Sequence, residues 1–583
     1  METIYLELFS AEGNEFLAPI ETLVVLFTMR YCDSRLRITF ILAKQPLEVN
    51  AYPITLEHFT YKILNGNEVP EIADSCQLPN LQLNSMSLVA GLCACLRQII
   101  KLSIVETPEH RCRCLLGFKT SCLLAPSECS PWTRFCEVEL ISTLRTMEYP
   151  VVSPGEIPET LARFEVHMRQ PVRLHNIYKY TMSKKFSSDG TATQDRTVPE
   201  HIYAEGSFMT LADIIIFLCT TVYLRIVTNP RVLDLIPLTA KWYDRMITDE
   251  HLRKCLGFIN LKVASPLDIE SFPQIVPNQS LYKSDAKRYK PRNKNYTRQE
   301  DVENSLKIIE NCGIDLEMNS EPLGAEIEID WETIPFEANP DGGSLPSTRS
   351  KRKFQQLENL SRPVLKLAKP GNVIVDFCSG SGHLGILIAY LRKDCTVILL
   401  ENKEESLNRS KLRVKKLKLD NVKFYQCNLD YFKGQFDIGT SLHACGVATD
   451  LVIQHCIRRN AVFVCCPCCY GSVQNCLHIS YPRSNVFRKV MQLRDYLVIG
   501  HAADQTHDEK NLKTKQGYQC MGIIDADRKA QAEEHGYTVL ITKLVPESCT
   551  PKNNLLVGIP SDEWVNNCIA NVIRNMHLSS NIV

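Results

Sequence analysis

A carboxylate followed at short range by two glycines can hold a charged small molecule against bare backbone. The sequence has this combination in Asp376-Phe-Cys378-Ser-Gly380-Ser-Gly382-His383. Gly380 and Gly382 let the chain pass close beneath a ligand that a side chain would obstruct. Asp376 can order the turn and attract a cationic amino group. Further on, Glu401 can accept hydrogen bonds from two ribose hydroxyls, and Asn428 offers a polar side chain to an adenine. The glycine spacing is not the G-x-G-x-x-G that cradles a pyrophosphate.

The elements that must position these residues are short apolar runs. Val373 to Phe377, Thr396 to Leu400 and Val422 to Tyr425 each read as a buried parallel strand, and each ends at one of the polar residues. In an open parallel sheet the carboxyl ends of the strands line one crevice, so residues distant in sequence converge there. Three such ends with this chemistry point to S-adenosylmethionine rather than a dinucleotide. A Rossmann-like methyltransferase domain is therefore predicted over residues 355–562. Its cofactor-binding candidates are Asp376, Cys378, Gly380, Gly382, Glu401, Asn428 and His443.

Methyl transfer from a sulfonium is an in-line displacement. Positioning supplies most of the catalysis, and a base is needed only for a protonated nucleophile. His443, after a fourth strand from Phe436, is placed either to act as that base or to pack against the cofactor. A fifth strand, Ala461 to Cys466, runs into Cys465-Cys466-Pro467-Cys468-Cys469-Tyr470. Two adjacent cysteine pairs around one proline do not readily form a tetrahedral cage. A zinc site would need helpers such as His443, Cys445, His455 or Cys456. A cysteine nucleophile is the other chemical reading. The favoured one is structural, with no metal: the loop shapes the acceptor pocket, Pro467 fixes its turn, and Tyr470 stacks on a flat substrate. His443 and Tyr470 are thus the catalytic candidates. The amide or carboxylate of an Asp-Pro-Pro-Tyr-type motif is missing, which disfavours base N-methylation. Lys515 to Arg528 and Tyr537 to Thr542 are expected to supply the last strands, with a helix from Asp527 to His535.

At 583 residues the chain exceeds one core, so a multidomain α/β protein is expected. Residues 1–110 read as an α/β unit with a helix over Ile20 to Tyr31, a strand over Leu36 to Leu42 and a helix over Met86 to Ile100. Helical periodicity dominates residues 125–260. It is interrupted by a polar insert, Ser183 to Arg196, that reads as a disordered loop. Within it, Thr210 and Asp213 form a capping box, and the run Ile214 to Leu224 is too short for a membrane span and reads as a buried helix. Residues 262–350 read as a linker. Its run Lys283 to Arg298 interleaves cations and tyrosines that could contact RNA, and Asp330-Trp331 could dock it on the next domain. Net charge is formally zero, so any basic site is local. The 25 cysteines in a chain without a secretory pattern are expected to be reduced, which fits a cytoplasmic location and no membrane.

Several of these segments also carry a resemblance. The 1–110 order, with Leu78-Pro79 at a cis-proline position and Ser85 or Ser87 near a glutamyl-binding serine, resembles a degenerate thioredoxin-like half of a glutathione transferase. The Thr210–Asp213 box and Pro237-Leu-Thr-Ala-Lys-Trp242-Tyr-Asp-Arg245 resemble that family's C-terminal helical domain. His443-Ala-Cys445-Gly446 with the Cys-Cys element resembles a methyltransferase family whose members include a tRNA ribose 2′-O-methyltransferase. Taken with "DFCSGSGH", "ENKE", "LHACGVATD" and "CPCCYG", the chain resembles the glutathione S-transferase C-terminal domain-containing family. That resemblance implies a cytoplasmic protein joining a transferase-like region to a methyltransferase domain. Ser10 alone, without a supporting pattern, stands where a thiolate-stabilising residue belongs, so the N-terminal region is expected to dock a partner protein. The alternatives are a non-catalytic scaffold and a glutathione-dependent transferase.

Overall fold

The computed structural model describes the chain except for residues 1, 13–14, 47, 148–154, 173–200, 228–230, 262–268, 275–280, 282–297, 315, 344–346, 477, 507–510, 512 and 562–583. The Ser183–Arg196 insert and the Lys283–Arg298 run, Arg298 apart, lie outside the described residues. The chain divides into two units, Met1–Arg288 and Tyr289–Val583.

In the first unit, β1 (Thr3–Leu8) pairs in parallel with β2 (Arg37–Leu42), and α1 (Ile20–Tyr31) makes the crossover. β2 pairs in parallel with β3 (Tyr61–Asn65). On the other side of β1 lies antiparallel β4 (Asn80–Asn84), followed by antiparallel β5 (Ser87–Ala90). The order is β5-β4-β1-β2-β3, and the Leu78–Pro79 peptide bond is cis. The helix expected over Met86 to Ile100 is displaced: Ser87–Ala90 is strand, and α2 runs Leu92–Glu106. Helical spacing across Met86 to Ala90 was misleading because a fully buried strand is also continuously apolar.

The helical part of this unit is organised by one carboxylate. Asp213, in α3 (Leu211–Val227), accepts from the backbone N–H of Thr210 at 2.8 Å, as the capping box requires. It also accepts from the Ala204 N–H at 2.7 Å and from Trp242 Nε1 at 2.9 Å, in α4 (Pro237–Thr248). The two sequence motifs are therefore one device: the box's acid also fixes the tryptophan of the second motif. Asp213 is fully buried, and burial raises its pKa to about 6. Replacing it with alanine strands four buried donors, the Thr210 hydroxyl at 3.2 Å included, at about 1–3 kcal/mol each. Asp213→Ala should therefore lower the first melting transition in calorimetry by several degrees, whereas Asp249→Ala, at an exposed cap, should move it far less.

The second unit contains a seven-stranded sheet. Its strands are β6 (Val373–Phe377), β7 (Thr396–Glu401), β8 (Val422–Gln426), β9 (Ile438–Cys445), β10 (Val462–Cys468), β11 (Tyr537–Lys543) and β12 (Asn554–Pro560), in the order β8-β7-β6-β9-β10-β12-β11. The first five are parallel, and β12 enters antiparallel between β10 and β11. The order reverses between β6 and β9, and a doubly wound sheet opens its binding crevice at such a switch point.

Two expectations are corrected here. Lys515 to Asp527 is not strand: Lys513–Glu533 is one 21-residue helix, α11, and the missing strand is β12. α11 is buried along most of its length, including Gly517, Gly522 and Asp525, so it lacks the one-sided polarity that marks a surface helix. The 262–350 linker also ends early. α5 (Gln299–Glu310) buries Val302, Leu306 and Ile309 in the second unit's core, and Trp331 packs edge-on to Phe354, as the expected Asp330-Trp331 docking requires. The domain thus begins upstream of residue 355, with α6 (Ser347–Leu367) as part of its core.

Candidate cofactor and acceptor site

The glycine turn closes β6 onto α7 (His383–Leu391). Asp376, 2 % exposed, accepts from the Gly385 N–H at 2.9 Å, so it orders the helix start. Gly382 is left-handed at φ 73°, and a Cβ there would meet Ser410 Oγ at 2.8 Å. Gly380, at φ 57°, is different: a Cβ there would meet nothing within 4 Å, so open space lies above its backbone. Its N–H donates to Glu401 Oε2 at 2.8 Å, while Glu401 Oε1 accepts from the Lys403 N–H at 2.9 Å. The ends of β6 and β7 are thereby tied together, and the Glu401 oxygens keep lone pairs for further donors. The Ser379 hydroxyl, between these contacts, is buried with no hydrogen-bond partner. Open space over Gly380, an orphaned hydroxyl and an underused carboxylate fit a hydroxyl-rich ligand such as a ribose. Cys378 (φ 55°) continues the turn, and Asn428 follows the end of β8 by two residues, nearly buried.

The rim is built by residues that sequence reasoning passed over. Arg413, on α8 (Glu404–Leu417), donates Nε to the Glu337 carbonyl at 2.7 Å, Nη2 to the Asn339 carbonyl at 3.2 Å and Nη1 to the Ser381 carbonyl at 3.1 Å. It clasps the former linker to the cofactor turn. It also donates to His383 Nδ1 at 3.3 Å, and burial beside this cation lowers the His383 pKa to about 3. Lys353, on α6, is half-buried, and its ammonium acts on Asp376, His383 and His443. In the sequence it is the last residue of Lys351-Arg352-Lys353, which reads as the basic end of a linker. Only the amphipathic spacing of α6 could have placed it inward.

On the acceptor side, His443 sits at φ 65° at the end of β9. Its Nε2 lies 3.2 Å from Gln356 Oε1, and the Gln356 amide nitrogen donates to the Cys549 carbonyl at 3.0 Å. That second bond orients the amide, so Oε1 must accept and the His443 proton is assigned to Nε2. Nδ1 is left with a lone pair. Burial first, then Lys353, lowers the His443 pKa to about 4, so the ring is neutral at neutral pH.

Tyr470 is a correction. It is fully buried, and its hydroxyl donates to Asp525 Oδ2 at 2.7 Å, so it cannot stack on a substrate. It anchors the loop instead, together with Asp504, which accepts from the Tyr470 and Gly471 N–H groups at 3.1 and 2.9 Å. The cysteines also divide differently. Cys465 and Cys466 are buried within β10, whereas Cys468 and Cys469 meet Cys445 of β9, with Sγ–Sγ distances of 3.4 and 3.3 Å. His455 and Cys456 lie elsewhere: His455 bonds the Leu429 carbonyl at 2.9 Å and Cys456 is buried.

Burial raises the Asp376 pKa to about 7, against partial compensation by the Gly385 N–H and Lys353, with Glu401 adding to the rise. The unfolded chain releases this proton near pH 3.9. The folded state therefore holds the extra proton between about pH 4 and about pH 7, and its stability falls as pH rises through that window. Chemical denaturation of wild type and Asp376→Asn should diverge between about pH 5 and about pH 7, by on the order of 2 kcal/mol, with wild type losing more.

A family model for a methyltransferase domain matches residues 352–476. The chain is 41 % identical to the "Glutathione S-transferase C-terminal domain-containing protein homolog" of Drosophila pseudoobscura pseudoobscura, over 96 % of this chain and 99 % of that one. The Xenopus laevis and Homo sapiens proteins of the corresponding name are 34 % and 33 % identical, each over 96 % of this chain and 100 % and 98 % of their own. Among solved structures, magnesium protoporphyrin IX methyltransferase from Synechocystis PCC 6803 with bound SAM aligns with 37 % of this chain and 86 % of its own, at 12 % identity and a TM-score of 0.24. No helix among the described residues is long and apolar enough to cross a membrane. The chain belongs to the family of glutathione S-transferase C-terminal domain-containing proteins and carries a Rossmann-like methyltransferase domain in its second unit.

Proposed function

We propose that the second unit is an active S-adenosylmethionine-dependent methyltransferase, that its acceptor is RNA, and that the first unit is a glutathione-transferase-like docking region. The observation that carries the reading is the pairing of open space over Gly380 with the Glu401 carboxylate at its edge. Glu401 would hold the ribose hydroxyls, Asn428 the adenine edge, and Asp376 the amino group. When bound, the cofactor supplies an electrophilic sulfonium methyl group. A cation seated beside Asp376 favours its ionised form, so binding should release a proton near neutral pH. Neutral His443, held by Gln356, presents Nδ1 to accept a hydrogen bond or a proton from the acceptor. A pKa of about 4 makes it a weak base, so its first contribution is orientation.

Titration calorimetry with S-adenosylmethionine should show binding by wild type. Glu401→Ala should weaken it at least about tenfold, the cost of losing charge-assisted bonds of roughly 1.5–3 kcal/mol. Absence of heat with wild type would remove the proposal, and glutathione turnover would favour the transferase alternative.

The RNA assignment rests on the cation-and-tyrosine run and the family resemblance. Neutralising Lys287, Arg288, Lys290, Arg292, Lys294 and Arg298 together should abolish RNA crosslinking and flatten its salt dependence. Crosslinking unchanged by that variant would return the run to the role of a connector.

A further inference from the structure

Three thiols from two strand ends meet at one point beside the crevice. Cys445 closes β9, Cys468 closes β10 as its register partner, and Cys469 follows at φ 51°. The three Sγ atoms all lie within 4.8 Å of one another, and Cys445 is 3.4 Å from Cys468 and 3.3 Å from Cys469. No other group of three potential metal ligands so close together occurs among the described residues. The backbone is bent to bring them there: β9 shifts register between Leu442 and Cys445, and His443, Gly446 and Cys469 all take left-handed φ. Left-handed non-glycine residues cost free energy and cluster where a site is being shaped.

We propose that Cys445, Cys468 and Cys469 form a trithiolate site for a thiophilic metal cation, with Zn²⁺ the fitting ion, whose fourth position opens to the crevice. Sulfurs at about 2.3 Å from a tetrahedral Zn²⁺ stand about 3.8 Å apart, so the two Cys445 edges need only sub-ångström spreading. Cys468 is nearly buried and Cys469 half-buried, while Cys445 is exposed, which leaves an approach on one side. Three protein ligands with an open position is the pattern of zinc sites that take an exogenous ligand, whereas purely structural sites use four. Binding replaces three thiol protons with one dication and leaves the site a net single negative charge. Lys552, ion-paired with Asp504 at 3.2 Å, lies close enough to be acted on by Cys469 and Cys468, and Cys445 feels Asp504 first and Lys403 second. The sequence shows two adjacent Cys pairs, but the ligand set takes one pair and its partner strand's Cys445, leaving Cys465 and Cys466 in the core.

The test is a Co²⁺ titration of the full-length, reduced, metal-stripped chain, followed by displacement with Zn²⁺. The expected result is about one Co²⁺ per chain, with intense thiolate-to-cobalt absorption and tetrahedral visible bands, lost on adding Zn²⁺. Cys469→Ser, at a half-exposed position, should weaken binding by about 100-fold or more through loss of one of three ligands. Cys445→Ser should do the same, while the exposed Cys312→Ser should bind as wild type. Unaltered melting of the Ser variants certifies that they are folded. Absence of the charge-transfer band in wild type, equal affinity in Cys469→Ser, or a Cys445–Cys468 disulfide found by mass spectrometry in place of metal would each overturn the proposal.

Discussion

The acceptor side of the crevice depends on one buried guanidinium. Arg528, 1 % exposed on α11, donates Nε and Nη2 to the two oxygens of Asp450 at 3.0 and 2.7 Å, and Nη1 to Asp525 at 3.0 Å. Asp525 also accepts from Tyr470 and, at 2.6 Å, from Asn554 of β12, while Asp450 also accepts from Tyr481 at 2.7 Å. One cation thus links α11, the last strand, the helix after β9 and the cysteine loop. An ion pair this deep gains little net stability over an apolar packing, but removing one member leaves a buried charge at a cost of about 3–5 kcal/mol. Its value here is positional. The loop carrying Cys468 and Cys469 hangs from Tyr470, whose ring is fixed by Asp525 and whose backbone is fixed by Asp504.

The cofactor side is built differently, from backbone held by carboxylates. Asp376 and Glu401 each bind main-chain N–H groups of the turn they face, so the cradle's shape and charge come from the same side chains. Arg413 adds a third restraint from outside, fixing the Glu337–Asn339 chain over the turn through carbonyls. A substitution at either acid therefore changes shape and electrostatics together. Binding data alone cannot apportion the two, which is why the Asp376→Asn comparison across pH separates charge from geometry.

The cofactor half of the site was legible because its chemistry lies at strand ends, and strand ends are marked by apolar runs meeting Asp376, Glu401 and Asn428. The acceptor half was not, for two physical reasons. Tyr470 follows a loop that reads as exposed, yet its hydroxyl is satisfied by Asp525, fifty-five residues away, and no local pattern signals such a partner. α11 was mistaken for strand because helical periodicity needs a polar face, and this helix is buried nearly all round. Lys353 and Arg413 were missed because long cations on amphipathic helices usually face solvent. Here they turn inward because carboxylates and carbonyls await them. In the first unit, the Thr210–Asp213 box was readable, but that Asp213 would also hold Trp242 was not.

The two halves of the crevice also differ in charge, and this bears on what can enter. The cofactor end presents Asp376 and Glu401, carboxylates suited to a ligand with an ammonium group and vicinal hydroxyls. The acceptor end presents neutral His443, with Lys353 and Lys403 near it and the thiol cluster beyond. The carboxylate at this end is Asp504, which is engaged by the Tyr470 and Gly471 N–H groups and by Lys552. Lys353 stands between the two ends, acting on both Asp376 and His443, so its charge stabilises the ionised acid and disfavours protonation of the imidazole. One half-buried lysine therefore biases both groups, Asp376 toward its anion and His443 toward its neutral ring.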